Sequence, residues 1–226
     1  HFAPTKYSEN NLLEEGIKSN NIWITGNTIV DSLAYILKKF SNNKNYSLSI
    51  EETLNKDLNF NVKDNNFFLI TGHRRENFGE GFENICMAIR DLSKKYSDIF
   101  FVYPVHLNPQ VKKPVETILG NLKNVKIIKP LDYDYFIYCL KYASGVLTDS
   151  GGLQEEAVCA KKKILICRDT TERPETIEFG YGKLVGTSVE KNISFLDDHI
   201  EESNSKNPYG EKVSKKIVSI LNDYKF

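Results

Sequence analysis

A chain of 226 residues corresponds to about one and a half domains of ordinary size, and its 40% hydrophobic, 12% aromatic and 27% charged residues exclude a disordered or fibrous protein. Thirty Lys and Arg balance thirty Asp and Glu, so no global field recruits nucleic acid or an anionic membrane, and any bound anion has to be held locally. The longest apolar runs, such as Ile99–Val105, fall far short of the roughly 20 residues that span a bilayer, no signal peptide is read, and four cysteines without C-x-x-C spacing fit a reduced, cytosolic compartment.

In chain order, residues 1–40 hold one strand, Ile22–Thr25, and one helix, too little to bury a core alone; they read as the end of an N-terminal Rossmann-like domain. Residues 41–66, with many Asn, Lys and Ser, read as an interdomain connector carrying one short helix around Ile50–Leu58. From residue 67 to 205, apolar runs at Phe67–Thr71, Ile99–Val105, Val125–Ile128, Gly145–Thr148, Ile164–Cys167 and Leu184–Val185 alternate with helical patterns. Phe82, Ile85, Ile89, Leu92 and Tyr96, for example, share one helix face. Continuous hydrophobic strands separated by helices predict an α/β fold, a Rossmann-like doubly wound parallel sheet covered on both faces. In residues 206–226, Asn207–Gly210 punctuates the chain before a closing helix, Glu211–Tyr224, with Val213, Ile217, Ile220 and Leu221 on one side.

Three polar clusters follow apolar strands, and in an open parallel sheet ligands bind beyond the carboxyl ends of strands. In the most informative, Gly145–Thr148 runs through Asp149 and Ser150 into Gly151, Gly152 and a helix. Two glycines allow close backbone approach, and a helix N-terminus offers N–H groups and partial positive charge to a phosphate or pyrophosphate. Glu155 and Glu156 are expected in the first helical turn, where they either cap the helix or, for Glu156, accept hydrogen bonds from a ribose diol. The second cluster, Gly72–Asn77, offers His73 for proton transfer and Arg74 and Arg75 as anion clamps, against a solvated loop of mutually satisfied charges. In the third, Arg168–Glu175, Arg173 closes on a diphosphate or joins an internal Arg–carboxylate network that shapes the loop. By themselves, His106 reads as a loop histidine and Phe136 as core.

Taken together, these segments resemble the non-hydrolysing UDP-N-acetylglucosamine 2-epimerases. The resemblance rests on Gly26-Asn27-Thr28 with Asp31, Gly72–Asn77, Tyr103–His106, Pro130–Tyr133 with Phe136, Asp149–Ala157, Arg168-Asp169 with Thr171–Glu175, Leu184–Thr187 and Asn207–Gly210. It implies the C-terminal domain of a glycosyltransferase-B-like two-domain fold, with most of the first domain of the relatives preceding His1. It further implies that Leu131, through its main chain, and Phe136 line the uracil site, and that Glu156 takes the ribose hydroxyls. Ser150, Gly151 and Gly152 would meet the diphosphate with Arg173 assisting, His73 would be the catalytic residue of this half, and Arg74 and His106 would belong to an activator site.

The implied chemistry, in the cytoplasm and feeding cell-envelope polysaccharides, removes the sugar C2 proton and expels UDP to an unsaturated glycal. UDP then adds back to give the manno epimer, with neither metal nor nicotinamide cofactor. The implied partners are UDP and a UDP-N-acetylhexosamine, an N-terminal half supplying the proton-transfer carboxylates, and a second copy in a homodimer, with no nucleic acid or membrane. The chain alone is expected to bind UDP without turnover. The rivals are a hydrolysing relative, a retaining glycosyltransferase and a non-catalytic UDP-binding remnant. One departure is that Lys161 and Lys163 stand where the family has glycine and proline.

Overall fold

The structure, a computed structural model, describes residues 1–72, 74, 77–186 and 207–224. Two short strands, β1 (Phe2–Ala3) and β2 (Trp23–Ile24), pair in parallel around helix α1 (Lys6–Glu14), which Thr5 opens by accepting the Ser8 N–H at 3.3 Å. Helices α2 (Ile29–Asn42) and α3 (Lys44–Leu58) follow. Residues 1–40 thus hold two strands and two helices where one of each is expected from the sequence. Asn43 separates α2 from α3, its side chain accepting the Tyr46 N–H at 3.0 Å, and Asn59 ends α3 in the left-handed region at φ 56°.

Among the described residues the main sheet has six strands, β3 (Phe67–Thr71), β4 (Phe100–Pro104), β5 (Val125–Ile128), β6 (Gly145–Thr148), β7 (Ile164–Ile166) and β8 (Gly182–Leu184). All neighbours are parallel and the spatial order is β5-β4-β3-β6-β7-β8, the doubly wound arrangement. Between the strands lie α4 (Glu80–Lys95), α5 (Pro109–Leu119), α6 (Tyr133–Tyr142), α7 (Gly151–Cys159) and α8 (Pro174–Glu178), and α9 (Val213–Asp223) follows the sheet. Successive strand residues point to opposite faces. Phe67, Leu69, Val146 and Ile164 therefore join one core, and Phe68, Ile70, Leu147 and Leu165 join the other, with Phe82, Ile85, Ile89 and Leu92 of α4.

The first of these cores also contains Leu33 and Phe40 of α2 and Ile50, Leu54 and Leu58 of α3. The segment expected as a connector is therefore mostly a 15-residue helix packed on the sheet, because its scattered apolar residues fall on one helix face. α9 is tied back to α2, since Asp31 accepts the N–H groups of Val213 at 3.2 Å and Ser214 at 2.6 Å. The Ser214 hydroxyl and these N–H groups hold the Asp31 carboxyl below its ordinary range. Lys161 adopts φ 55°, a left-handed conformation that a glycine would take without strain. No helix among the described residues is long and apolar enough to cross a membrane.

Candidate functional site

The strand order reverses between β3 and β6, so the crevice beyond their carboxyl ends is where a doubly wound sheet opens to a ligand. The last residues of the two strands, Thr71 and Thr148, hydrogen-bond hydroxyl to hydroxyl at 2.7 Å. Thr148 Oγ1 also accepts the Ser150 N–H at 2.9 Å, which fixes the turn into α7. Above this floor lies a cavity of about 340 Å³. Ser150, Gly152 and Glu156 line it from the β6–α7 side, Leu131 and Phe136 from the β5–α6 side, and His106 from the loop after β4. Phe136 also packs against the core, so one ring serves both surfaces.

α7 opens at Gly151, four residues before Glu155. Glu155 and Glu156 therefore lie beyond the first helical turn where they are expected from the sequence, and the helix-dipole argument for them lapses. What the first turn presents instead is backbone. A Cβ placed on Gly152 would meet nothing within 4 Å, whereas one on Gly151 would stand 3.4 Å from Arg74 Nη2 and 3.6 Å from Glu172 Oε2. Below the turn, the fully buried Asp149 accepts the Arg74 N–H at 3.0 Å and the Asn77 side-chain amide at 3.2 Å, joining the loop after β3 to the loop after β6.

The two glutamates face different neighbours. Glu156 lines the cavity; its burial raises the carboxyl pKa against the opposing hydrogen bond from Tyr133, and burial, followed by the charge and hydrogen bond of Glu156, pushes the Tyr133 phenol up as well. Glu155, 4% exposed, pairs with Arg173 Nε and accepts from Asn27 Nδ2 at 2.6 Å, and its burial outweighs the arginine and raises its pKa. Arg173 thus belongs to an internal Arg–carboxylate network. It lines a second cavity, of about 570 Å³, with His1, Phe2, Tyr7 and Asn11, and is absent from the wall of the first.

Glu172 joins two of the expected polar clusters. Both terminal nitrogens of Arg168 donate to it, at 2.5 and 2.9 Å, and Arg74 donates to it at 3.1 Å. Chiefly through Arg168, the Glu172 carboxyl is held at about 2, below the ordinary 4.5. Because the folded-state pKa is depressed, the stability from these pairs is fully present above about pH 4.5 and is lost as pH falls through about 2. Carbon-detected NMR titration is expected to place the Glu172 midpoint close to that value; a midpoint above pH 4 would contradict the pairing.

The sequence profile of the UDP-N-acetylglucosamine 2-epimerase family matches residues 1–222. The chain belongs to this family. It is 44% identical over 230 residues to the UDP-N-acetylglucosamine 2-epimerase of Campylobacter jejuni, covering 98% of this chain and 60% of that one. Among solved structures, the Neisseria meningitidis UDP-GlcNAc 2-epimerase bound to UDP-GlcNAc superposes with a TM-score of 0.91 at 41% identity over 99% of this chain and 61% of that one. The Methanocaldococcus jannaschii UDP-GlcNAc 2-epimerase in complex with UDP-GlcNAc and UDP gives 0.86 at 38% identity, over 99% and 60%. The chain therefore spans about 60% of the length of these relatives. Its sheet is the Rossmann-like doubly wound sheet of the family's glycosyltransferase-B-like fold, as expected from the sequence.

Of the residues that the resemblance to this epimerase family singles out, Leu131, Phe136, His106, Ser150, Gly152 and Glu156 share one cavity. Gly151 and Arg74 stand beside each other at the start of α7. Arg173 lies apart, at the second cavity. His73, Arg75, Glu76 and Thr187 are outside the described residues. Thr71, Thr148, Tyr133 and Asn27 carry no site role legible from local pattern, since the contacts that tie them to the site are with partners 23 to 128 positions away. Among the described residues, no cluster of three or more His, Cys, Asp or Glu side chains can hold a metal.

Proposed function

We propose that this chain is the UDP-binding part of an enzyme that interconverts UDP-GlcNAc and UDP-ManNAc without net hydrolysis. The observation that carries the proposal is the convergence of three separate loops on one cavity at the strand-order reversal. On this reading the uracil lies against Phe136 and the main chain of Leu131, and the ribose hydroxyls donate to Glu156. The diphosphate meets the N–H groups at Ser150, Gly151 and Gly152, with Arg173 reaching it by exchanging Glu155 for phosphate.

Loss of the C2 proton and of UDP from C1 leaves a C1=C2 double bond; UDP re-adds at C1 and a proton at C2 from the opposite face. His73 acts at this centre, and Arg74, standing beside Gly151 at the diphosphate turn, faces both that diphosphate and a second UDP-sugar, which it and His106 hold as activator. The proton-transfer carboxylates come from an N-terminal half, with residues 1–40 belonging to that half and 41–66 leading into the UDP-binding domain. The complete enzyme is a cytoplasmic homodimer.

Calorimetry with the 226-residue chain is expected to show saturable one-to-one binding of UDP. NMR with UDP-GlcNAc is expected to show no conversion until the N-terminal half of a relative is added, and then UDP-ManNAc. Failure to bind UDP sinks the ligand assignment, and conversion by the chain alone sinks the division of labour. Free N-acetylmannosamine with UDP as products identifies the hydrolysing reaction instead.

A further inference from the structure

Between the loops that follow β3 and β7, two guanidinium groups share the Glu172 carboxylate. The firm end of this arrangement is Arg168, whose side chain is 8% exposed and grips Glu172 as a fork, while the Glu172 side chain is 49% exposed. Arg74 gives Glu172 one hydrogen bond, and its own main chain is fixed independently by Asp149. Asp149 thus holds the Arg74 backbone and Glu172 holds its guanidinium. That guanidinium lies beside Gly151, the first residue of α7.

Resting on the reading of this turn as the diphosphate site, we infer that Glu172 is a positioning residue, a bridge between two loops that holds the Arg74 guanidinium where the phosphates arrive. The charge balance supports this role. Two guanidinium groups drawn together without a counterion repel, and the Glu172 carboxylate between them relieves that repulsion beside a helix N-terminus that already favours anions. A long side chain held beforehand loses less freedom when the ligand binds. Glu172 acts through Arg74 and does not touch the ligand.

The test replaces Glu172 by Gln, which keeps the size and one acceptor oxygen but removes the charge. Binding of UDP to the 226-residue chain is followed by calorimetry, and binding of uridine, which lacks phosphates, by ligand-observed NMR. Glu172→Gln is expected to raise the UDP Kd about tenfold, the effect of weakening one charge-assisted contact, and to leave uridine unchanged. Glu172→Asp recovers part of the loss, and in an Arg74→Ala background Glu172→Gln adds less than a twofold change. Equal weakening of uridine and UDP, or the full tenfold loss without Arg74, would overturn the inference and assign Glu172 to loop structure alone. A wild-type chain that binds uridine but gains nothing from the diphosphate overturns it too, while one that binds neither removes the underlying functional reading as well.

Discussion

Glu156→Ala is expected to weaken UDP binding by a hundredfold or more while leaving the melting temperature close to that of the wild type. The carboxylate lines the cavity and is steadied by the Tyr133 hydroxyl, so it presents acceptors in a fixed place to a ribose diol. Two hydrogen bonds to a charged acceptor at about 1.5 kcal/mol each amount to about 3 kcal/mol, more than two decades in Kd. The fold does not depend on this group, because the buried ion pair of α7 is made by Glu155. Burial raises the Glu156 pKa, so the acceptor form disappears on acidification at a higher pH than for an ordinary glutamate, and UDP affinity falls with it. Calorimetry of both proteins across the acidic range decides the matter: a Kd within twofold of wild type would remove Glu156 from the site.

Gly26→Ala is expected to cost the fold about 3 kcal/mol or more. Gly26 sits at φ +94°, and a Cβ there would come within 2.3 Å of the Tyr209 carbonyl oxygen and 2.8 Å of Val213 Cγ2. The backbone conformation contributes roughly 1–2 kcal/mol and the overpacking roughly 1–3 kcal/mol. For a chain of 226 residues this lowers Tm by roughly 6–12 °C in a thermal scan. The site of the collision makes the result informative. Gly26 and Asn27 are where the turn after β2 meets the segment leading into α9, with the Asn27 N–H donating to the Tyr209 carbonyl at 2.9 Å. Asn27 then reaches Glu155 from the same turn. A shift of less than 3 °C would show that the Gly26-Asn27-Thr28 stretch is not the seam between the first residues and the sheet.

Much of this architecture is legible in the sequence because apolar runs and 3.6-residue periodicity report burial directly. Phe67–Thr71, Val125–Ile128 and Gly145–Thr148 are strands at the residues where the runs place them. β7, the strand directly after the glycine helix, is one residue shorter than its run, since Cys167 is apolar but lies beyond the last paired residue. β1 is not legible, because two residues carry no periodicity and exist as a strand only through pairing with Trp23 and Ile24. α3 is foreseen only in its last two turns, because its first half, from Lys44 to Ser49, is mostly polar and becomes helical through the Asn43 cap and through packing of Tyr46 near Phe40.

The chemistry divides along the same line. The sequence by itself determined the strand–glycine–helix unit at Gly145–Cys159 and the doubly wound class, since each is a local pattern of apolar runs and helical periodicity, and its motifs together pointed to the family. Only the tertiary structure decided which carboxylate meets which cation. Glu155 and Glu156 are neighbours in sequence, yet their side chains leave the helix about 100° apart, so one reaches Arg173 and Asn27 and the other the cavity. Likewise Arg74 and Glu172 are 98 residues apart and meet because the parallel order brings the loops after β3 and β7 to the same end of the sheet. Charge pairing is set by distance in space, which a linear pattern does not carry.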